Sequence, residues 1–277
     1  MKWNRLLRNF AFTSGALLTL ALIFIALAAP LLAPFDPDHQ DTIRRLEPPS
    51  KDHPLGLDDL GRDVLSRIVW GARVSLRVGF SVVILTSLIG VTLGAISGYF
   101  GGIVDTLIMR VTDILMAFPG ILLAIALVAV LGPNLNNVIL ALATIGWVSY
   151  ARLVRGQVLK VREMEYVTAA RALGARSPRV IALHVLPNVI NPVIVMATLG
   201  LAGATLAEAA LSFLGLGVQP PTPSWGAMLT SGRRYLGLAN HLAIYPGIAI
   251  MLAVMGLNFL GDGLIDALDP KYRKRIE

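Results

Sequence analysis

The sequence predicts an all-α, polytopic membrane protein with six transmembrane helices. Three observations predict it. The 277-residue chain is 55% hydrophobic and only 15% charged, against about 25% charged in an ordinary soluble domain. Its charges cluster, so residues 9–35, 78–104, 114–151, 180–207 and 235–261 hold no Asp, Glu, Lys or Arg. A helix of about 20 apolar residues crosses a bilayer, and each of these runs is longer than that. Lys and Arg also favour alternate connecting segments, the bias that orients membrane helices.

The first helix, 11–33, follows the basic stretch "MKWNRLLRNF" and so mimics a signal peptide. Its apolar run is long enough to span, and "AAPLLAPF" puts prolines where a small-residue cleavage site would stand, so it reads as a retained span. The segment to residue 74 is too short and Pro-rich for a core of its own. Its end, "LGLDDLGRDVLSR", sets Asp58, Asp59 and Asp63 beside Arg62 and Arg67. That pattern predicts an ion-laced helix over 59–73 lying along the membrane surface. The second helix is placed at 75–98. The third, 107–131, carries Pro119, which predicts a kink. The uncharged run 114–151 is too long for one span, and "GPNLNN" splits it and sets the fourth helix at 136–152. The fifth and sixth helices are placed at 189–214 and 240–262. Between them "GVQPPTPSWGAML" reads as a stiff loop. It is either a lip that meets a partner or re-enters the pore, or a loop anchored at the interface by Trp225. The chain thus divides into 1–74, a transmembrane core at 75–265 and a tail at 266–277.

Lys2, Arg5 and Arg8 place the N-terminus in the cytoplasm. Alternation then puts 99–106, 153–188 and the tail there too. With Arg110 and Arg152 at span ends, these regions hold 15 of the 24 Lys and Arg residues. The net charge of +7 is therefore read as membrane orientation and not as nucleic-acid binding. The absence of cysteine excludes disulfides and thiol chemistry, and four scattered histidines predict no metal centre. No G-x-x-x-x-G-K-[ST], G-x-S-x-G or H-E-x-x-H pattern occurs, so the chain is expected to be non-catalytic and to bind no cofactor. No internal repeat is visible, which disfavours a transporter of paired halves in one chain and suggests half of a larger pore.

Ionisable residues near the membrane are the candidate pore or gating groups. Glu208 lies within the fifth span, where an ionisable group is costly. It either faces the pore or is a structural carboxyl bonded to a neighbour. Arg110 and Asp113, three apart, can pair on one helix face. Asp262, Asp266 and Asp269 suggest a metal site, a solvated helix end or an interaction face, and the interaction face is the favoured functional role.

The insert 153–188 is different. Tyr166, Ala169, Ala170 and Leu173 share a small apolar face of a short helix. Gly174 is placed to end that helix, Ser177 to cap a second and Pro187 to stop it. Spacing alone leaves open whether this is a solvated loop or a docking element. "TAARALGARSPRVIALHVLP" resembles the EAA loop of ABC-importer permeases: Ala169, Ala170, Gly174, Leu186 and Pro187 match, while Thr168 replaces the Glu and His184 the Ile. "HPLGLDDLGRDVLSRIVWGARVSL", "GYFGGIVDTLIMRVTDILMAFP", "AEAALSFLGLGVQPPTPSWGAML" and "LNFLGDGLIDALDP" extend the resemblance along the chain. They are similar to the dipeptide, oligopeptide and nickel permease family, and most of all to its second permease subunit. The resemblance implies the MetI-like ABC importer permease fold and uptake of dipeptides or oligopeptides, with nickel or a metal chelate as the alternative cargo. An ion-coupled secondary transporter is the remote alternative. It implies a second homologous permease, two ATPase subunits that use ATP and Mg, an extracytoplasmic substrate-binding protein, and a bacterial or archaeal cytoplasmic membrane. It implies an ATPase-coupling site at Thr168, Ala169, Ala170, Arg171, Leu173, Gly174, Leu186 and Pro187. Arg162, Arg171, Arg176 and Arg179 would meet carboxylates at the ATPase rim.

Overall fold

The computed structural model describes residues 10–268, and all regular elements among them are helical. They are α1 (Phe10–Leu27), α2 (Ala29–Leu32), α3 (Val64–Phe100), α4 (Gly102–Met116), α5 (Gly120–Leu131) and α6 (Leu135–Val161). Then come α7 (Glu165–Ala172), α8 (Ser177–Val180), α9 (Leu186–Phe213), α10 (Trp225–Gly232) and α11 (His241–Leu268). α1, α3, α6, α11 and the run from α8 through α9 are each long and apolar enough to cross a bilayer. α4 and α5, bent by 86° at their junction, are together apolar enough for a sixth crossing, either as a broken span or as a re-entrant loop. Lys2, Arg5, Arg8, Asp269 and most of the tail lie outside the described residues.

α3 departs most from expectation. It is one unbroken helix of 37 residues, about 55 Å long at the usual helical rise, and no separate surface helix covers 59–73. Residues 57–63 instead form a turn closed by the Leu57–Asp63 bridge. Asp63 caps α3, accepting the Ser66 N–H at 2.8 Å and its hydroxyl at 2.7 Å. The charges that suggested a solvated surface are paired and buried. Arg62 donates to Asp58 at 2.7 Å, and the His53 ring meets Asp63 at 2.9 Å. Arg67, only 5% exposed, reaches the Pro37 carbonyl at 2.8 Å and Asp38 at 3.4 Å. Buried charges persist only when so compensated. At the exposed rim of this segment Arg44, by hydrogen-bonding Glu47, holds its carboxyl below the ordinary range. Residues 34–63 thus fold back over the start of α3.

The expected kink at Pro119 is a complete break. Proline disfavours helix at the preceding residue, so α4 stops at Met116 and Pro119 becomes the cap of α5. α3 and α6 pack closely through the spacing Gly94–Gly98. A Cβ at Gly94 would lie 2.5 Å from the Ala151 carbonyl oxygen, and one at Gly98 would lie 2.9 Å from the Val158 Cβ. Small residues four apart let membrane helices approach in this way.

Trp225 is not an interface anchor. It is buried, and its indole N–H donates to the Ile68 carbonyl at 2.9 Å. Gly71 leaves room for that ring. The stiff segment expected at 217–229 is therefore helical from Trp225 onward and pinned to α3.

Pro187 does not end a helix either. α8 passes into a π turn, Ile181–Val185, and then directly into α9. The π turn shifts the register just ahead of Pro187, which falls in the first turn of α9, where a missing N–H costs little. α8 also starts one position earlier than expected, with Arg176 in the cap position and Ser177 inside the first turn.

The bundle has two distinct ends. Residues 34–63 and 214–240 gather at the N-terminal end of α3, where Arg67 meets Pro221 and His241 meets Leu57. The other end, here the loop end, gathers the α3–α4 turn and the 162–185 insert, where Arg162 meets Gly98 and Arg171 meets Tyr99. The start of α1 and the end of α11 join them there, Phe12 lying against Gly263.

Candidate functional site: the interhelical loop and the bundle cavity

α7 is the helix expected at the insert. Its closing turn is set by Gly174, which adopts φ +82°. The Ala175 N–H donates to the Ala170 carbonyl at 3.1 Å and the Gly174 N–H to the Arg171 carbonyl at 2.9 Å, the paired bonds of a Schellman stop. Eight residues are too few to hold a helix in water alone, so α7 depends on its anchor. That anchor is Val167, fully buried. It joins Val154, Val158 and Val161 of α6, Val180 of α8 and Val189 of α9 in one apolar cluster. Burying one such side chain contributes about 1.5–3 kcal/mol.

The apolar face expected from Tyr166, Ala169, Ala170 and Leu173 is largely turned away from this cluster. Leu173 is 89% exposed and Tyr166 46%. Ala169 and Thr168 are exposed and Ala170 is half-buried. α7 therefore shows the solvent an apolar surface while a different residue holds it down. Leu186 packs at the edge of the valine cluster and Pro187 is exposed beside it.

Two of the four arginines expected to face outward are engaged within the chain. Arg162 donates to the Gly98 carbonyl at 2.8 Å and to Glu163 at 2.9 Å. Arg171 donates to the Tyr99 hydroxyl at 3.2 Å, with its guanidinium 4.6 Å from that ring's centre. Arg176 and Arg179 are exposed.

A cavity of about 940 Å³ opens between α3, α5, α6 and α9 and extends from mid-bundle toward the loop end. Thr86, Ser149, Tyr150 and Asn191 are its polar lining residues, and among the described residues no Asp, Glu, Lys or Arg lines it. Gly200, Gly203, Ala204 and Ala207 form a small-residue wall on α9. The Tyr150 hydroxyl is held by the Met196 carbonyl at 3.3 Å.

The three candidate pore or gating residues lie outside this cavity. Glu208 is fully buried. Its Oε1 accepts the Ser212 hydroxyl at 2.6 Å, and the hydroxyls of Ser75 and Ser224 face the same carboxyl. This is the surrounding of a structural carboxyl joining α3, α9 and the cap of α10. Arg110 is exposed on α4 and does not pair with Asp113. α6 runs alongside and brings Arg152 to Asp113 instead, at 2.5 Å. Asp262 and Asp266 form no metal-binding group among the described residues.

Sequence reasoning missed Val167, Tyr99 and the cavity wall. A signal for the first existed in the valines at 154, 158 and 161, a buried helical stripe needing a partner.

Comparison with known proteins places this geometry. A family model for the "binding-protein-dependent transport system inner membrane component" matches residues 90–274. A second, for the "N-terminal TM domain of oligopeptide transport permease C", matches residues 1–49. The chain is 47% identical over 271 residues to the dipeptide transport system permease protein of Alkalihalophilus pseudofirmus, covering 98% of this chain and 89% of that one. It is 45% identical to the di/tripeptide transport system permease protein of Pseudomonas aeruginosa, covering 98% and 91%. It is also 45% identical to the glutathione transport system permease protein of Pectobacterium atrosepticum, covering 98% and 90%. In fold it is similar to a chain of the inward-facing MetNI methionine ABC transporter, with a TM-score of 0.58 at 19% identity over 73% of this chain and 96% of that one. The chain belongs to the family of inner membrane components of binding-protein-dependent transport systems, the permeases of ABC importers.

Proposed function

We propose that this chain forms half of the membrane pore of an ATP-driven importer for short peptides. A second, homologous permease completes the pore, two ATPase subunits bind and hydrolyse ATP with Mg, and an extracytoplasmic binding protein delivers the peptide. The loop end faces the cytoplasm of a bacterium or archaeon, and both termini lie on that side. The observation that carries this reading is α7. It exposes Tyr166, Ala169 and Leu173 while Val167 ties it to three long helices. A small apolar helix that none of the described residues covers, rooted in the bundle, suits docking in a cleft of a moving partner.

Two conformations of the ATPases would then bias two positions of the bundle, because a bound partner shifts an equilibrium only through different affinity for its states. Short peptides are favoured as cargo by the substrates for which the relatives are named: dipeptides, di/tripeptides and glutathione. A cavity lined by apolar groups and a few hydroxyls and amides lets a zwitterionic chain pass without a trapping ion pair. The test is co-purification of the chain with its neighbouring subunits, followed by uptake of labelled dipeptides into vesicles. ATP-dependent accumulation is expected. Vesicles that contain all subunits and accumulate nickel chelates but no peptide would refute the cargo, and transport driven by an ion gradient without ATP would refute the mechanism.

A further inference from the structure

We propose that Arg171 and Tyr99 form the contact through which α7 drives α3, so that Arg171 is a positioning residue and not a contact for the ATPase rim. The inference rests on the importer reading above and adds the route by which motion enters the bundle.

The geometry is specific. Tyr99 is the penultimate residue of α3, and Arg171 stands in the last turn of α7. Their contact is double, a hydrogen bond of 3.2 Å and a guanidinium stacked 4.6 Å from the ring centre. A planar guanidinium can hold both at once, which an ammonium cannot. Phe100 packs edge-on against Tyr99 with ring centres 5.3 Å apart, fixing the ring from the other side.

A second tie lies beside it, where Arg162 donates to the Gly98 carbonyl at 2.8 Å. A third runs through Asp105, which accepts from Arg155 at 2.5 Å and from the Ser97 hydroxyl at 2.5 Å. The terminal turn of α3 is thus gripped by three arginines from α6, the insert and α7. Cations at a helix C-terminus are also favoured by its exposed carbonyls. Only Arg171 among them sits on the helix that exposes the docking face.

α3 is suited to pass a displacement on. It is continuous over 37 residues, contributes Val82, Val83 and Thr86 to the cavity wall, and carries in its first turn Arg67, which holds Pro37 and Pro221 at the far end. One rigid element therefore touches the α7 clamp, the cavity and the opposite loops. A push on α7 that is not lost in its own loop reaches α3 at Tyr99.

The test is a double-mutant cycle in the complete importer reconstituted in vesicles. ATP hydrolysis and dipeptide uptake are both measured for the parent, Arg171→Ala, Tyr99→Leu, the double variant, Arg171→Lys and Tyr99→Phe. Residues on a coupling route change coupling by about 2- to 30-fold. Arg171→Ala and Tyr99→Leu are expected to retain ATPase subunits and hydrolysis while uptake per ATP falls within that range. The double variant is expected to be no worse than the worse single one, as for groups that act as a pair. Tyr99→Phe, which keeps the ring, is expected to retain more uptake per ATP than Arg171→Lys, which loses the stacked fork. Additive losses, or unchanged uptake per ATP in Arg171→Ala, overturn the proposal. Loss of bound ATPase in Arg171→Ala and Arg171→Lys, with Tyr99→Leu normal, also overturns it and returns Arg171 to the partner's rim. If the parent chain retains no ATPase, the importer reading itself falls, and that outcome is distinct from all of these.

Discussion

Replacing Gly174 by valine tests the account of α7 at its narrowest point. Gly174 has φ +82°, and no heavy atom lies within 4 Å of where its Cβ would stand. The damage expected inside this chain is therefore backbone strain and not a clash. A non-glycine residue in the left-handed region costs about 1–2 kcal/mol, and a β-branched one is a genuine outlier there. That cost falls on the two bonds that close α7, from Ala175 to Ala170 and from Gly174 to Arg171. One to two kcal/mol is roughly a 5- to 30-fold change in an equilibrium, enough to unwind the last turn of so short a helix and release Leu173 and Arg171 from their places. Amide exchange at 174 and 175, read with ATP-driven uptake, measures both ends of the argument. Asparagine enters the left-handed region readily, so the expected order of retained uptake is Gly, Asn, Ala, Val. If Gly174→Asn is as damaging as Gly174→Val while Gly174→Ala is harmless, side-chain size against a partner is the cause and the backbone argument is wrong.

Other expectations follow from the same structure. Gly94→Leu should prevent α3 and α6 from closing, because its Cβ would lie 2.5 Å from the Ala151 carbonyl oxygen. Loss of monodisperse protein in detergent is the readout, and a well-folded variant would contradict the packing. Glu208→Gln should fold normally, since an amide can still accept from Ser212, whereas Glu208→Leu leaves the Ser212 hydroxyl without its acceptor. Each buried group so orphaned costs about 1–3 kcal/mol, so Glu208→Leu should melt lower than Glu208→Gln, and equal melting would count against the structural role. Arg67→Ala strips the buried partner of Asp58 and Asp38. Asp38 is exposed and Asp58 keeps Arg62, so the main loss is the bond from Arg67 to the Pro37 carbonyl; about 1–3 kcal/mol is expected, visible as faster proteolysis within 34–63, and unchanged proteolysis would show that the network is not what holds that segment.

Much of this architecture was legible because lipid imposes a simple code. Runs without charge longer than a bilayer's thickness must be helices, and the bundle follows them to within a few residues at α9 and at the start of α6, although α6 continues to Val161, beyond the expected end at 152. Gly174 was readable too, since an alanine-rich helix ending at glycine has one common geometry. The start of α3 was not. Arg62, Arg67, Asp58 and Asp63 look solvated in sequence, and only tertiary contacts, Arg67 with Pro37, Asp38 and Pro221 and Asp63 with His53, reveal that they are buried. Pro187 misled for a related reason: a proline stops a helix only where its N–H is needed, and a π turn had already reset the register. At the insert, spacing identified α7 and its small apolar face but not the residue that anchors it. Val167 holds it, and Arg171 turns toward Tyr99.

The most direct test of the account is where α7 sits in intact membranes. The chain has no cysteine, so a single Ala169→Cys or Leu173→Cys carries the only thiol in this subunit. A short thiol-reactive crosslinker is expected to join either position to an ATPase subunit, with a yield that changes when ATP is trapped. Labelling of these thiols by a membrane-impermeant reagent from outside whole cells, with no link to an ATPase in either nucleotide state, would contradict it.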